Sequence, residues 1–378
     1  MPWESGCWAA DSCFGASRAG RSRSLVTKPW REDAEPPIVI NGRATIRAQI
    51  GGVERLAREM AVRLPRLRPE RYQVIRPRPR LAHRVGHVWE QAVLPLQAAG
   101  SALLYSPANL APLACSRNVV VIHDAAALRF PDAYSRSYVA YQRAMLPALA
   151  RRARLLITVS EFSRGELVEV LGADPARIEV VPEGVDERFG TATAADVAVV
   201  AARYQLERPY VLALGTVSAR KNLSVLDRAA RALAENGIEL VAAGSGRGYL
   251  RGAAASMRRL GYVADRDLPA LYAGARALAM PSRYEGFGLP CLEAMACGTP
   301  VVASRCTALP ETVGDAGLLV AADDGQAFAD ALRAAASEEY LRARLVQAGR
   351  ERAAAFPWSR TTELTDVLLA RELARRTI

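Results

Sequence analysis

The 378-residue sequence predicts an α/β protein built on two doubly wound parallel sheets, on three observations. From Ile38 onward, short apolar runs alternate with helix-length stretches, the pattern of parallel strands covered by helices on both faces. The alternation breaks once, around Gly184 to Pro209, where a polar stretch turns helical and a proline precedes a fresh apolar strand. The length suffices for two separate cores, and 51% hydrophobic with 24% charged residues fits a soluble globular chain.

In the first unit Ile38–Ile40, Tyr72–Ile75, Ala102–Tyr105, Val119–Ile122, Leu155–Val159 and Ile178–Val181 read as strands, with helices near 53–64, 87–99, 134–153 and 161–171. The second unit begins at Tyr210–Leu214 and continues through Glu239–Ala243, Tyr262–Val263, Ala277–Met280, Val301–Ala303 and Leu318–Val320. Ala327–Ala336, Glu338–Ala355 and Arg360–Arg375 read as terminal helices. The expected domains are 37–190 and 191–357, Rossmann-like in both cases, after a disordered tail or overextended start at 1–36 and before a closing helix in 358–378. No repeat of solenoid length is evident.

Composition removes several function classes. The longest apolar runs are strand-sized, and the first thirty-six residues lack the continuous apolar stretch of a signal peptide. Six cysteines without a C-x-x-C pair suit reduced thiols, so a cytoplasmic protein is expected. His83 and His87 are spaced as metal ligands on one helix face, but Gly86 interrupts them and no glutamate follows His83. A surface or packed pair is the expectation, and no metal site is predicted. The net charge of +11 lies mostly before Gly190, with 27 basic against 19 acidic residues there and 23 against 20 after. Arg63, Arg66, Arg68, Arg71, Arg76, Arg78, Arg80 and Arg84 crowd one stretch, which reads as a solvated loop or as an attraction to anionic lipid head groups or a phosphorylated acceptor. No aromatic platform or recognition-helix pattern accompanies them, which argues against nucleic acid.

The segment from Ser282 to Pro300 carries the chemistry. Pro281 and Ser282 follow the small apolar strand at 277–280; Gly286 and Gly288 then free the backbone, Pro290 suits a first helical turn, and Gly298 with Pro300 ends the helix. Glu285 and Glu293 therefore flank a glycine turn at the carboxyl end of a strand, where open α/β sheets bind ligands and a helix start offers N–H groups to an anion. His123-Asp124 closes another strand in the same way, and reads either as a general base tuned by its neighbour or as a packed histidine. Arg220 and Lys221 follow the strand 210–214 and its Gly215 turn, where they are either phosphate ligands or solvated cations. Gly51-Gly52 precedes a helix, with Glu54 and Arg55 just behind. Asp265-x-Asp267 is a literal D-x-D, read as a helix cap before Leu268–Ala275.

Glu285-x7-Glu293 within "EGFGLPCLEAMACGTPV" resembles the signature of retaining glycosyltransferases of family 4, which have the GT-B fold. "LALGTVSARKNL" (213–223), "TVSEFSRGEL" (158–167), "VVPEGVD" (180–186) and "VIHD" (121–124) are similar to further motifs of that family in the expected order. "INGRATIRAQIGGVERLAREM" (40–60), "VWEQAVLPL" (88–96) and "LLYSPANLAPL" (103–113) resemble its mannosyltransferase B-like branch.

The resemblance implies two domains facing each other across a cleft, a last helix that crosses back to the first, and a nucleotide-sugar donor held mainly by the second. Arg220 and Lys221 would hold the donor diphosphate, Glu285 and His123 the sugar, and Glu293 the ribose. Gly51, Gly52, Gly215, Pro281, Ser282, Gly286, Phe287, Gly288 and Leu289 would line the donor, with Tyr262 and Val263 at the base. The leaving phosphate itself would take the acceptor proton, without a metal. Mannosyl transfer from GDP-mannose to a glycan, lipid-linked or small-molecule hydroxyl is the favoured expectation. A rhamnosyl or glucosyl nucleotide is the alternative donor, and a non-catalytic binder of nucleotide-sugar or anionic lipid the alternative class. Peripheral contact with an anionic membrane through Arg63–Arg84 is a further expectation. Glu183 departs from the family's usual asparagine, and Gly244–Gly248 to Gly261 is unusually compact.

Overall fold

The computed structural model describes residues 36–47, 49–78, 86–215, 218–244 and 257–375. Two six-stranded parallel sheets form the frame. The first contains β1 (Ile38–Asn41), β2 (Tyr72–Ile75), β3 (Leu103–Ser106), β4 (Asn118–Val121), β5 (Leu155–Thr158) and β6 (Ile178–Val180), in the order β2-β1-β3-β4-β5-β6. The second contains β7 (Tyr210–Leu214), β8 (Glu239–Ala243), β9 (Arg258–Gly261), β10 (Ala277–Met280), β11 (Val301–Ser304) and β12 (Leu318–Val320), in the order β12-β11-β10-β7-β8-β9. Central strands such as β1, β3, β5, β10 and β11 are buried along their whole length. Both faces of these strands are covered, so their sequences run apolar without alternation.

Three expectations need correction. The ninth strand is Arg258–Gly261, one turn before the expected Tyr262–Val263. As the sheet edge it keeps polar side chains, and a bulge shifts its pairing from Ala242–Arg259 to Ala243–Gly261. The helix expected near 87–99 is broken into Gly86–Val88, a π-turn at Trp89–Val93 and Leu94–Gln97. Asp265–Asp267 forms a 3₁₀ turn ahead of the helix Leu268–Ala273, but neither carboxylate caps that helix. Instead Asp265 pairs with Arg55 at 2.6 Å and Arg188 at 2.6 Å, and Asp267 accepts from Arg203 and Tyr204. Cations from other elements outbid the local backbone for these oxygens.

The chain passes between the lobes at one place. Val185 donates to Phe356 O at 2.8 Å and bridges Pro357, so the outward and return crossings lie side by side. A Cβ on Gly184 would stand 2.6 Å from the backbone of Trp358, which explains the glycine there. Beyond it the helix Trp358–Ala374 lies on the first lobe: Tyr72 donates to Asp366 at 2.6 Å, Arg154 pairs with Glu372 at 2.8 Å, and Thr361 donates to Pro182 O.

This helix also answers part of the arginine cluster. Asp366 pairs with Arg71 at 3.1 Å and Arg68 at 3.6 Å, Glu59 holds Arg63 at 2.6 Å, and Arg76 donates to Thr45. Arg66 and Arg78 stand exposed, while Arg80, Arg84 and His83 lie outside the described residues. No helix among the described residues is long and apolar enough to cross a membrane.

Candidate active site

The lobes face each other across a cleft of about 450 Å³. On the second-lobe side, β10 delivers Tyr284 and Glu285 to a turn that ends in the helix Leu289–Ala296. Gly288 precedes that helix with φ +104°, a conformation that a side chain would strain. Gly286 is required by proximity: a Cβ there would lie 2.6 Å from the carbonyl oxygen of His123 on the other lobe. Its own carbonyl accepts from Ser160 at 2.6 Å and Ser163 at 3.0 Å, so first-lobe hydroxyls fix the turn.

Arg220 and Lys221 come from the 3₁₀ turn Ala219–Lys221 after β7. Lys221 Nζ lies 2.7 Å from Glu285 Oε1, and Arg220 Nη1 lies 3.2 Å from Glu285 Oε2. Burial alone would raise the Glu285 carboxyl, but the fields and hydrogen bonds of Lys221 and Arg220 outweigh it and bring it down to about 2. Burial, with Arg220 beside it, pushes the Lys221 ammonium down against the pull of Glu285. Two cations thus share one anion. Arg220 Nε and Ser218 Oγ are buried and find no partner among the described residues, and of the two only Arg220 lines the cleft.

On the first-lobe side, His123 follows β4, and its backbone N–H donates to Asn109 Oδ1 at 2.8 Å. Its Nδ1 lies 3.0 Å from Glu183 Oε1 and its Nε2 3.2 Å from the Pro107 carbonyl. Burial lowers the imidazole, but Glu183, the Pro107 carbonyl and Asp124 together raise it. The expected tuning partner was Asp124, yet Asp124 Oδ1 accepts the backbone N–H of Ala126 and the ring is held by Glu183. With both ring nitrogens engaged, His123 has no lone pair free in this rotamer for a general-base role.

Of the residues singled out in the sequence, Gly51, Gly52, His123, Asp124, Gly215, Arg220, Lys221, Tyr262, Val263, Glu285, Gly286, Phe287, Gly288 and Leu289 line the cleft. Pro281 and Ser282, expected to bind the donor, are buried directly after β10 and are not among the lining residues. Glu293 is also set back: Arg55 Nε lies 3.1 Å from one of its oxygens and Tyr272 donates to the other at 2.9 Å. Burial raises its carboxyl in spite of both. The ribose contact expected of Glu293 therefore competes with an arginine from the opposite lobe. Glu183, singled out in the sequence only as a departure, also lines the cleft, and residues that were not anticipated include Arg43 and the stacked pair Tyr134–Tyr138, whose ring centroids are 5.5 Å apart. The i, i+4 spacing of the tyrosines at a helix start was the available signal. Among the described residues no group of three His, Cys, Asp or Glu is placed to hold a metal, and His87 packs against Tyr141.

Two parallel-sheet lobes around this cation-lined cleft define a glycosyltransferase of GT-B type. A family model described as Glycosyltransferase Family 4 matches residues 98–189, and one described as Glycosyl transferases group 1 matches 208–338. The chain is 33% identical over 283 residues to the O-antigen chain mannosyltransferase B of Escherichia coli, across 70% of this chain and 72% of that one. To a D-inositol 3-phosphate glycosyltransferase of Salinispora arenicola it is 40% identical over 233 residues, across 54% of this chain and about half (52%) of that relative. The structure of Anabaena HepE, in complex with UDP and glucose, superposes with a TM-score of 0.67 at 18% identity, covering 89% of this chain and 100% of that one. The chain belongs to glycosyltransferase family 4.

Proposed function

We propose that this glycosyltransferase transfers a hexose, with mannose favoured, from a nucleoside-diphosphate sugar to a hydroxyl of a glycan, lipid-linked or small-molecule acceptor, with retention at the anomeric carbon. The observation that carries this reading is the Arg220–Lys221–Glu285 cluster beside the Gly286–Gly288 turn. As the bond from the anomeric carbon to the diphosphate breaks, negative charge grows on the leaving oxygen while the sugar gains oxocarbenium character. The guanidinium and ammonium are already desolvated and oriented, so they stabilise that charge without reorganising. N–H groups at the start of the helix Leu289–Ala296 act in the same direction.

Glu285 fixes both cations and stays ionised, which suits a carboxylate steadying the developing positive charge on the sugar. The departing phosphate oxygen takes the acceptor hydroxyl proton in this scheme, and no protein base or metal is invoked. Tyr134 and Tyr138 give the first-lobe wall a flat apolar surface for an acceptor ring. The mannosyl preference draws on the relative from Escherichia coli. Exposed Arg66 and Arg78 offer charge for peripheral contact with an anionic membrane, which vesicle flotation tests.

A thermal-shift panel of GDP, UDP, ADP and dTDP tests the donor. A nucleotide at about a hundred times its dissociation constant adds about 2.7 kcal/mol. GDP should give the largest shift; a larger response to UDP or dTDP overturns the mannosyl reading and leaves the transferase reading in place.

A further inference from the structure

We propose that Glu183 is a positioning residue that keeps His123 as an imidazolium, so that the pair adds no net negative charge to the first-lobe wall facing the donor diphosphate. This inference rests on the donor reading above for its consequence, but not for its geometry.

A neutral imidazole carries one N–H. Here both ring nitrogens face oxygens that accept: Nδ1 lies 3.0 Å from Glu183 Oε1, and Nε2 lies 3.2 Å from the Pro107 carbonyl. A carbonyl cannot donate, so Nε2 carries a hydrogen. The proton between Nδ1 and Glu183 then belongs to the more basic imidazole. All of this is buried, with His123 and Glu183 at 5% and 3% exposure, so the pair is shielded from solvent.

Charged and neutral groups surround the ring. Asp124 follows His123 in the chain, and its field also favours the cation. The loop 107–109 contributes only the Pro107 carbonyl and the Asn109 side chain. The helix Glu161–Leu171 contributes Ser163, whose hydroxyl donates to His123 O. Glu54, at the start of the helix Gly52–Leu67, is occupied by Arg47 and the Gly51 N–H. From the second lobe come Arg220, Lys221 and Glu285 across the cleft. With the Arg43–Glu90 and Arg47–Glu54 pairs each neutral in themselves, a neutral ring would leave the carboxylates of Glu285, Glu183 and Asp124 outnumbering Arg220 and Lys221 by one. The imidazolium makes the balance even, which matters to a ligand that is itself an anion.

A neutral amide at position 183 would let the ring lose its second proton without leaving an unpaired carboxylate beside it. This chain has instead coupled the charge of the wall to a proton on His123.

The test is a pH titration of the full chain by ¹⁵N NMR, made simple because the chain has three histidines. At pH 7.5 the wild-type His123 ring should show N–H at both nitrogens, and Glu183→Gln should leave one. A wild-type ring with a single N–H at that pH overturns the proposal whether or not the variant folds, and so does an identical titration in Glu183→Gln. GDP binding followed from pH 6 to 9 reads the consequence. Wild-type affinity should fall by about tenfold as the ring deprotonates, and Glu183→Gln should flatten that fall. Identical pH profiles count against the proposal. If GDP does not bind but the ring carries two N–H groups, the donor reading fails and the pair stands.

Discussion

The two walls of the cleft are built in opposite ways. The second-lobe wall is local in sequence: Arg220 and Lys221 adjoin one strand end, and Glu285 through Leu289 follow another. The first-lobe wall is assembled from distant pieces, with Pro107 and Glu183 meeting the His123 imidazole and Ser163 donating to its backbone carbonyl. One wall is a motif and the other a convergence. They also respond to protons with opposite sign. Glu285 is depressed, so it stabilises the fold fully above its ordinary value of 4.5, and that contribution is lost as pH falls toward about 2. His123 is raised, so its contribution is full below its ordinary 6.5 and is lost as pH rises through the higher folded value.

The sharpest way to break the comparison is Glu285→Ala. Transfer from the donor should fall by about 10²–10³-fold, with nucleotide binding retained because Arg220 and Lys221 remain; single-turnover assays beside calorimetry would show it. A variant that loses binding and turnover together would mean that Glu285 only holds the cations in place. Next comes Arg55→Ala, which removes one of the links between the walls. It strips buried Glu293 of its cation at 3.1 Å and Asp265 of one at 2.6 Å, and should cost about 3–5 kcal/mol in urea unfolding. Nucleotide affinity, measured separately, should rise if Glu293 is freed for a ribose. The smallest effect is the acid limb: between pH 4.5 and about 2 the wild type should lose stability that Glu285→Gln does not lose. Parallel acid limbs in the two proteins would assign that loss to other carboxylates.

Legibility in the sequence followed the same division. Both sheets were readable because their central strands are continuous apolar runs, as in Leu155–Thr158 and Val301–Ser304. The second-lobe wall was readable because strand end, glycine turn and helix start lie within a dozen residues. Strand β9 was misplaced because Arg258 and Arg259 are polar, as an edge permits. Asp265 and Asp267 were misread as caps because the arginines that claim them, Arg55, Arg188 and Arg203, lie 62 or more residues away in sequence. Glu183 was noticed as a departure, but its partner is 60 residues earlier, and no local pattern joins the two. Side-chain pairing across a fold is a tertiary fact, and propensity does not encode it.

The adjacent crossings at Val185 and Phe356–Pro357 make a pivot for the enzyme. Two chain passages pinned at one point resist sliding and leave rotation as the easy relative motion of the lobes. The arc travelled then grows with distance from that axis, so the far rim opens widest for a small angular change. Product departure would therefore begin at the lip farthest from Gly184.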